Sequence, residues 1–96
     1  MANFNEIIES NENVLIDFYA TWCGPCQTLG PILEEVKKDV GDNLRIVKID
    51  VDKHQDLAGK MGVRGVPSLF FYKNGKLIKS ASGVLIGKEI KDIFGL

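Results

Sequence analysis

The sequence predicts an α/β protein: a mixed four-stranded sheet with helices on both faces. Three observations carry this. The run VLIDFYA at 14–20 is almost continuously apolar, as in a strand buried on both sides. A long helical pattern and a second strand-like run, LRIVKIDV at 44–51, follow it. Strand, helix and strand in succession imply a parallel pair joined by a right-handed crossover. Near the end, SLFFYKNGKLIKSAS sets Asn74-Gly75 between two β-rich runs, the preferred turn of a two-residue antiparallel hairpin.

The elements follow in order. Phe4, Ile7 and Ile8 share one face of a short helix over about 3–10, which Asn11 to Asn13 should break. After the first strand, Leu29, Ile32, Leu33, Val36 and Val40 recur at helical spacing and predict a helix over 24–40. Gly41 is placed to end it, and Pro31 inside it should kink it. Leu57, Ala58 and Met61 mark a third helix closed by Gly62, with His54 a solvated residue near its start. Ile86, Ile90, Ile93 and Phe94 form one face of a last helix over about 87–95.

Composition bounds the function. A chain of 96 residues is expected to form one domain, 1–96. An apolar share of 45% and a charged share of 26% are those of an ordinary soluble globular protein. A net charge of −1 gives no basic footprint for nucleic acid and no attraction to an anionic membrane. The apolar runs are too short to span a bilayer, and MANFNEIIES lacks the basic and apolar regions of a secretory leader. A cytoplasmic location is the expectation.

The only cysteines, Cys23 and Cys26, flank Gly24 and Pro25 in YATWCGPCQTLGP. As a structural staple the pair would close a very short loop, removing little freedom from the unfolded chain, and a cytoplasm would keep it reduced. As a metal clamp it lacks ligands: a structural zinc site wants four, and beyond the pair the chain offers only His54, in a different segment. No metal is expected. A reactive dithiol has positive support. The pair lies where a strand ends and a helix begins, the end of an open α/β sheet where functional sites collect. Cys23 falls at the helix start, where unpaired N–H groups and the dipole stabilise a thiolate. Pro25 suits the first turn, and Cys26 lies one turn on, so the sulfurs can meet. A C-x-x-C beside a strand–helix–strand pattern reads as a redox motif.

Asp17 is the odd residue of an apolar strand. It is either an acid on a solvated surface, one paired with Lys48, or a buried acid with a task. GVLIGKE has three residues between its glycines and no Ser or Thr after its lysine, so it is not a phosphate loop, and GKMGVRG is not a dinucleotide fingerprint.

Two separated stretches, in order and spacing, resemble the thioredoxin family: VLIDFYATWCGPC, which holds the pentapeptide WCGPC, and GVRGVPSLFFYKNGK. The likeness runs from about Phe4 to the C-terminus. It implies the thioredoxin fold and a thiol–disulfide oxidoreductase that reduces protein disulfides. Members of the family usually carry one further strand before the first helix. Without it the sheet should run 44–51, 14–20, 68–73, 76–82, leaving LRIVKIDV as an edge where Arg45 and Lys48 discourage pairing. By the resemblance Cys23 is the nucleophile and Cys26 the shielded resolving thiol. Asp17 is buried beneath them and takes the proton from Cys26, and Lys48 modulates Asp17. The bond before Pro67 is cis, putting the Val66 backbone beside the cysteines. Trp22, Gly24, Pro25, Val66, Pro67, Gly83 and Val84 form an apolar patch for partner proteins. Gln27 stands where the family is often basic. The resemblance implies no bound cofactor. It implies electrons supplied from NADPH through thioredoxin reductase, and a monomer is the expectation. A disulfide oxidase or isomerase, or a binding subunit whose dithiol is incidental, are the competing functions.

Overall fold

The computed structural model describes residues 3–96. In chain order these form α1 (Phe4–Glu9), β1 (Asn13–Tyr19), α2 (Gly24–Val40), a single 3-10 turn (Gly41–Asn43), β2 (Arg45–Asp50), α3 (Gln55–Lys60), β3 (Ser68–Lys73), β4 (Lys76–Ser82) and α4 (Gly87–Phe94). The sheet order is β2-β1-β3-β4, with β1 and β2 parallel and the other pairs antiparallel. This is the thioredoxin fold expected above.

Local chemistry sets the helix ends. The Asn3 side chain accepts from the Glu6 N–H at 2.9 Å, giving α1 a side-chain N-cap. Gly41, at φ 57°, ends α2, which runs unbroken through Pro31. Glu89 accepts from the Ile86 N–H at the start of α4. Ile86 is therefore the N-cap and 58% exposed, not part of the buried face formed by Ile90 and Phe94. Periodicity misassigned it because a residue one step before a helix still fits the apolar stripe. Asn13 is likewise no helix breaker: it opens β1, buried, with its amide donating to the Asn43 carbonyl at 2.9 Å.

Alternation along β1 divides the core in two. Val14, Ile16 and Phe18 pack with Ile7 and Ile8 of α1, Ala58 of α3, and Phe70 and Tyr72 of β3. Leu15 faces the other way, onto Leu29, Leu33 and Val36 of α2, Ile90 and Phe94 of α4, and Leu69 and Phe71 of β3. The rings of Phe71 and Phe94 lie 5.2 Å apart. Each such fully buried side chain contributes about 1.5–3 kcal/mol by leaving water. The central β1 thus has helices over both faces, which explains its nearly continuous apolar run.

In the hairpin turn, Asn74 and Gly75 have φ of 52° and 78°, the left-handed pair of a type I′ turn. The Asn74 N–H donates to the Glu12 carbonyl at 2.8 Å, tying the turn to the start of β1. An alanine at 75 would be held in the left-handed region, so Gly75→Ala is expected to lower stability by about 1–2 kcal/mol. Urea unfolding measures this, and an unchanged midpoint would show that the turn does not need this geometry.

At the sheet edge, the Arg45 guanidinium donates to the Ser10 hydroxyl at 2.7 Å, and Lys48 lies over Tyr19. No helix among the described residues is long and apolar enough to cross a membrane.

Candidate active site

β1 delivers the chain to the site. After Tyr19, the Cys23 N–H donates to the Ala20 carbonyl at 3.2 Å, and this turn starts α2. Cys23 is the N-cap, its sulfur accepting from the Cys26 N–H at 3.2 Å, and Pro25 occupies the first turn, where no N–H is needed. The two cysteines are joined as a disulfide, with Cα atoms 5.3 Å apart. The Cys26 N–H at the helix start points at Cys23 Sγ, an arrangement that, with the helix dipole, favours negative charge there once the bridge opens.

The family resemblance implies an exposed Cys23 and a shielded Cys26. In the bridged form both are covered, at 4% and 6%. The linked sulfurs shield each other, and Ala20, Tyr19, Val51 and Val66 pack around them. The distinction between the two lies in surroundings instead: Cys23 Sγ is 3.6 Å from the Val66 carbonyl oxygen, and Cys26 lies inside the first helical turn.

Val66 precedes a cis bond to Pro67. The Pro67 carbonyl accepts from the Gly83 N–H at 2.9 Å, bringing Gly83 beside it with a φ of 85° that suits glycine. Around the dithiol, Trp22 (70% exposed) and Val84 (40%) stand out from the surface. Gly24 and Pro25 are also exposed, Val66 and Gly83 half-buried. Pro67 is buried, so it supports the patch from beneath and presents little of its own surface. Beside the patch an open groove of about 390 Å³ is lined by Trp22, Val51, Ala58, Val63, Arg64, Gly65 and Val66.

Asp17 is 1% exposed, so it is not a surface acid. Nor is it ion-paired: no cation lies within salt-bridge distance of it among the described residues, and Oδ1 finds no hydrogen-bond partner there. Burial raises its pKa from 3.8 to about 6, and the Lys48 charge acts against that rise. Lys48 is its register partner on β2, but the ammonium lies 4.7 Å from the centre of the Tyr19 ring. Asp17 shares a face of β1 with Leu15 and therefore points to the α2 side of the sheet.

Three features escaped the sequence. The Trp22 indole donates to Asp52 at 2.9 Å, which steadies an otherwise exposed ring. Asp52 is in place because the Val51 N–H donates to the Tyr19 carbonyl and the Asp52 N–H to the Asp50 carboxylate. Arg64 lines the groove, and Tyr19 carries the Lys48 ammonium. The only advance signal was topological: parallel β1 and β2 end side by side. His54 begins α3 half-buried without a side-chain cap bond, and no three metal-binding side chains cluster among the described residues.

The chain matches the family model described as Thioredoxin over residues 1–94. It is 47% identical over 76 residues to the thioredoxin of Bacillus subtilis (strain 168), covering 78% of this chain and 73% of that protein. It is 41% identical over 90 residues to the chloroplastic thioredoxin Y of Oryza sativa subsp. japonica, covering 93% of this chain but 54% of the rice protein, about half its length. Among solved structures, oxidised mitochondrial thioredoxin 3 of Saccharomyces cerevisiae superposes with a TM-score of 0.85 at 38% identity, covering 97% of this chain and 87% of that one.

Proposed function

Because the chain belongs to the thioredoxin family of thiol–disulfide oxidoreductases, we propose that residues 1–96 act as one domain that reduces protein disulfides through the Cys23–Cys26 couple. The Cys23 thiolate attacks one sulfur of a target disulfide, forms a mixed disulfide and expels the other target sulfur as a thiolate. Cys26 gives its proton to Asp17 and attacks Cys23 Sγ. The second target thiolate leaves, and the Cys23–Cys26 bridge remains. Two electrons pass from the dithiol to the target. The observation that carries this reading is a bridged pair at a helix N-cap, with Cys23 Sγ receiving the Cys26 N–H.

Asp17 suits proton transfer because a pKa of about 6 lets it change charge near neutral pH. Lys48 modulates it from β2. Trp22, Gly24, Pro25, Val66, Gly83 and Val84, supported by Pro67, receive the target, and an extended target segment pairs with the Val66 backbone. The patch is apolar and reads little sequence, so many disulfide proteins can be accepted. Gln27 is uncharged and removes a cation from the rim, which alters partner choice. The couple is refilled by thioredoxin reductase with electrons from NADPH, no cofactor being held by this chain. The protein works as a monomer in the cytoplasm.

The deciding assay is reduction of an insulin-like disulfide protein with a thiol donor. The native protein accelerates it and Cys23→Ser does not. Target binding without acceleration by the native protein would instead mark a binding subunit with an incidental dithiol. An equilibrium potential for the couple near those of strong oxidants would overturn the reductase assignment.

A further inference from the structure

Tyr19 has no part in the exchange described above, yet it touches both halves of the site. Its ring packs against the cluster of Ala20, Cys23 and Cys26, and the Lys48 ammonium lies over it, 4.7 Å from its centre. We infer that Tyr19 is a positioning residue for Lys48: by seating the ammonium on its face, the ring fixes that cation beside Asp17 and so governs how readily Asp17 gives up its proton. The inference rests on Asp17 as proton acceptor for its catalytic meaning, but its geometry stands without it.

The register explains the arrangement. β1 and β2 run parallel, with Asp17 opposite Lys48 and Tyr19 two residues further along the same face. The Lys48 side chain leaves the backbone next to Asp17 and leans along the strand, so its ammonium reaches the ring and makes no ion pair with the carboxylate. Lys48 is exposed on the edge strand. A lysine there has a flexible four-carbon stem and a strongly hydrated head, which without an anchor spreads through solvent. An aromatic face attracts the ammonium electrostatically and narrows that spread. The anchor itself is held by the dithiol turn.

Among the charges around Asp17, this cation is the one that acts on it. From α2, Glu34, Lys37 and Lys38 rim a groove with Lys48 at the sheet edge, and the Lys37 ammonium is already bonded to the carbonyls of Gly41 and Leu44 at 2.9 and 2.6 Å. From β3, the residue opposite Asp17 is Leu69. The α4 residues in that core are Ile90, Phe94 and Ile93, all apolar. On β4, Lys79 is in register with Phe71, two strands away. Among these charges, Lys48 is the one whose field opposes the effect of burial on Asp17.

The test is a titration of the Asp17 carboxyl carbon by NMR in the oxidised protein, where no free thiol contributes. Tyr19→Leu is expected to raise the midpoint by about half a pH unit. Tyr19→Phe, which keeps the face, should leave it unchanged. Lys48→Met should raise it as well and should make Tyr19→Leu silent in the double variant. The native protein gives an independent reading, since Lys48 side-chain protons over the ring must be shifted upfield. An unmoved or lowered midpoint in Tyr19→Leu, an equal shift in the Lys48→Met background, or unshifted Lys48 protons would each overturn the inference. The pH profile of mixed-disulfide resolution separates it from the base assignment. If the titration moves with Tyr19 and the rate profile does not, Tyr19 still positions Lys48 and Asp17 is not the acceptor.

Discussion

Serine in place of Cys26 is expected to stop the protein at the mixed disulfide. The first attack needs only Cys23, whose N-cap position on α2 is kept, together with the Cys26 backbone N–H that points at its sulfur. The second attack needs a sulfur at position 26, because a serine hydroxyl does not displace a thiolate from a disulfide. Resolution then depends on external thiol. The lost intramolecular partner acts at an effective concentration far above millimolar, so turnover should fall by at least about 100-fold. A covalent adduct with the target should accumulate, visible by mass spectrometry and dissolved by reductant. Cys23→Ser should form no adduct, since Cys26 is buried inside the first helical turn. Rapid full turnover by Cys26→Ser would refute the assignment of roles.

The second large effect is expected at Asp17, where stability and activity should move in opposite directions. Its pKa is 3.8 when unfolded and about 6 in the folded protein, because burial disfavours its charge. Below about pH 4 both states hold the proton and the residue contributes nothing. Between the two values the unfolded state has released its proton while the folded state keeps it, so stability falls as pH rises. Above about pH 6 the full penalty, roughly 3 kcal/mol, is present and constant. Asp17→Asn removes the titrating group and should be more stable than the native protein near pH 8 by roughly 2–3 kcal/mol, less whatever the buried amide loses in hydrogen bonds. Near pH 4 the two should converge. Urea unfolding of the oxidised proteins at the two pH values measures this, and a native stability that stays flat between them would rule out the buried-acid penalty. The same variant should resolve the mixed disulfide more slowly while attacking its target at the native rate. An unchanged resolution rate near neutral pH would remove Asp17 from the mechanism. An acid that costs stability at working pH is what a functional group looks like when packing alone would have chosen leucine.

Legibility in the sequence followed range. Neighbouring residues encode strands, helices and turns through periodicity and backbone sterics, so β1, α2 and the Asn74-Gly75 turn are legible in the order of residues alone. The dithiol was equally plain, because residues three apart at a helix start must lie on one turn. Ile86 and Asn13 were misread for the same reason in reverse: each fits a local pattern, and only a cap or a neighbouring loop shows which element it serves.

By itself, then, the sequence determined the fold class, the strand order implied by its likeness to a family, and the paired cysteines at a strand-to-helix junction. Tertiary structure alone decided what surrounds them. Val66 lies 43 residues from Cys23 and Asp52 lies 30 from Trp22, yet both touch the site. Whether Asp17 was a surface acid, an ion-paired one or a buried one depended on which face of β1 it occupies and on what α2 lays over that face. Whether Lys48 paired with it or lay on Tyr19 depended on the β1–β2 register and on the reach of a four-carbon stem. Such contacts arise from the alignment of strands distant in sequence. Local spacing carries no record of them, because the register is set by the packing of the whole sheet.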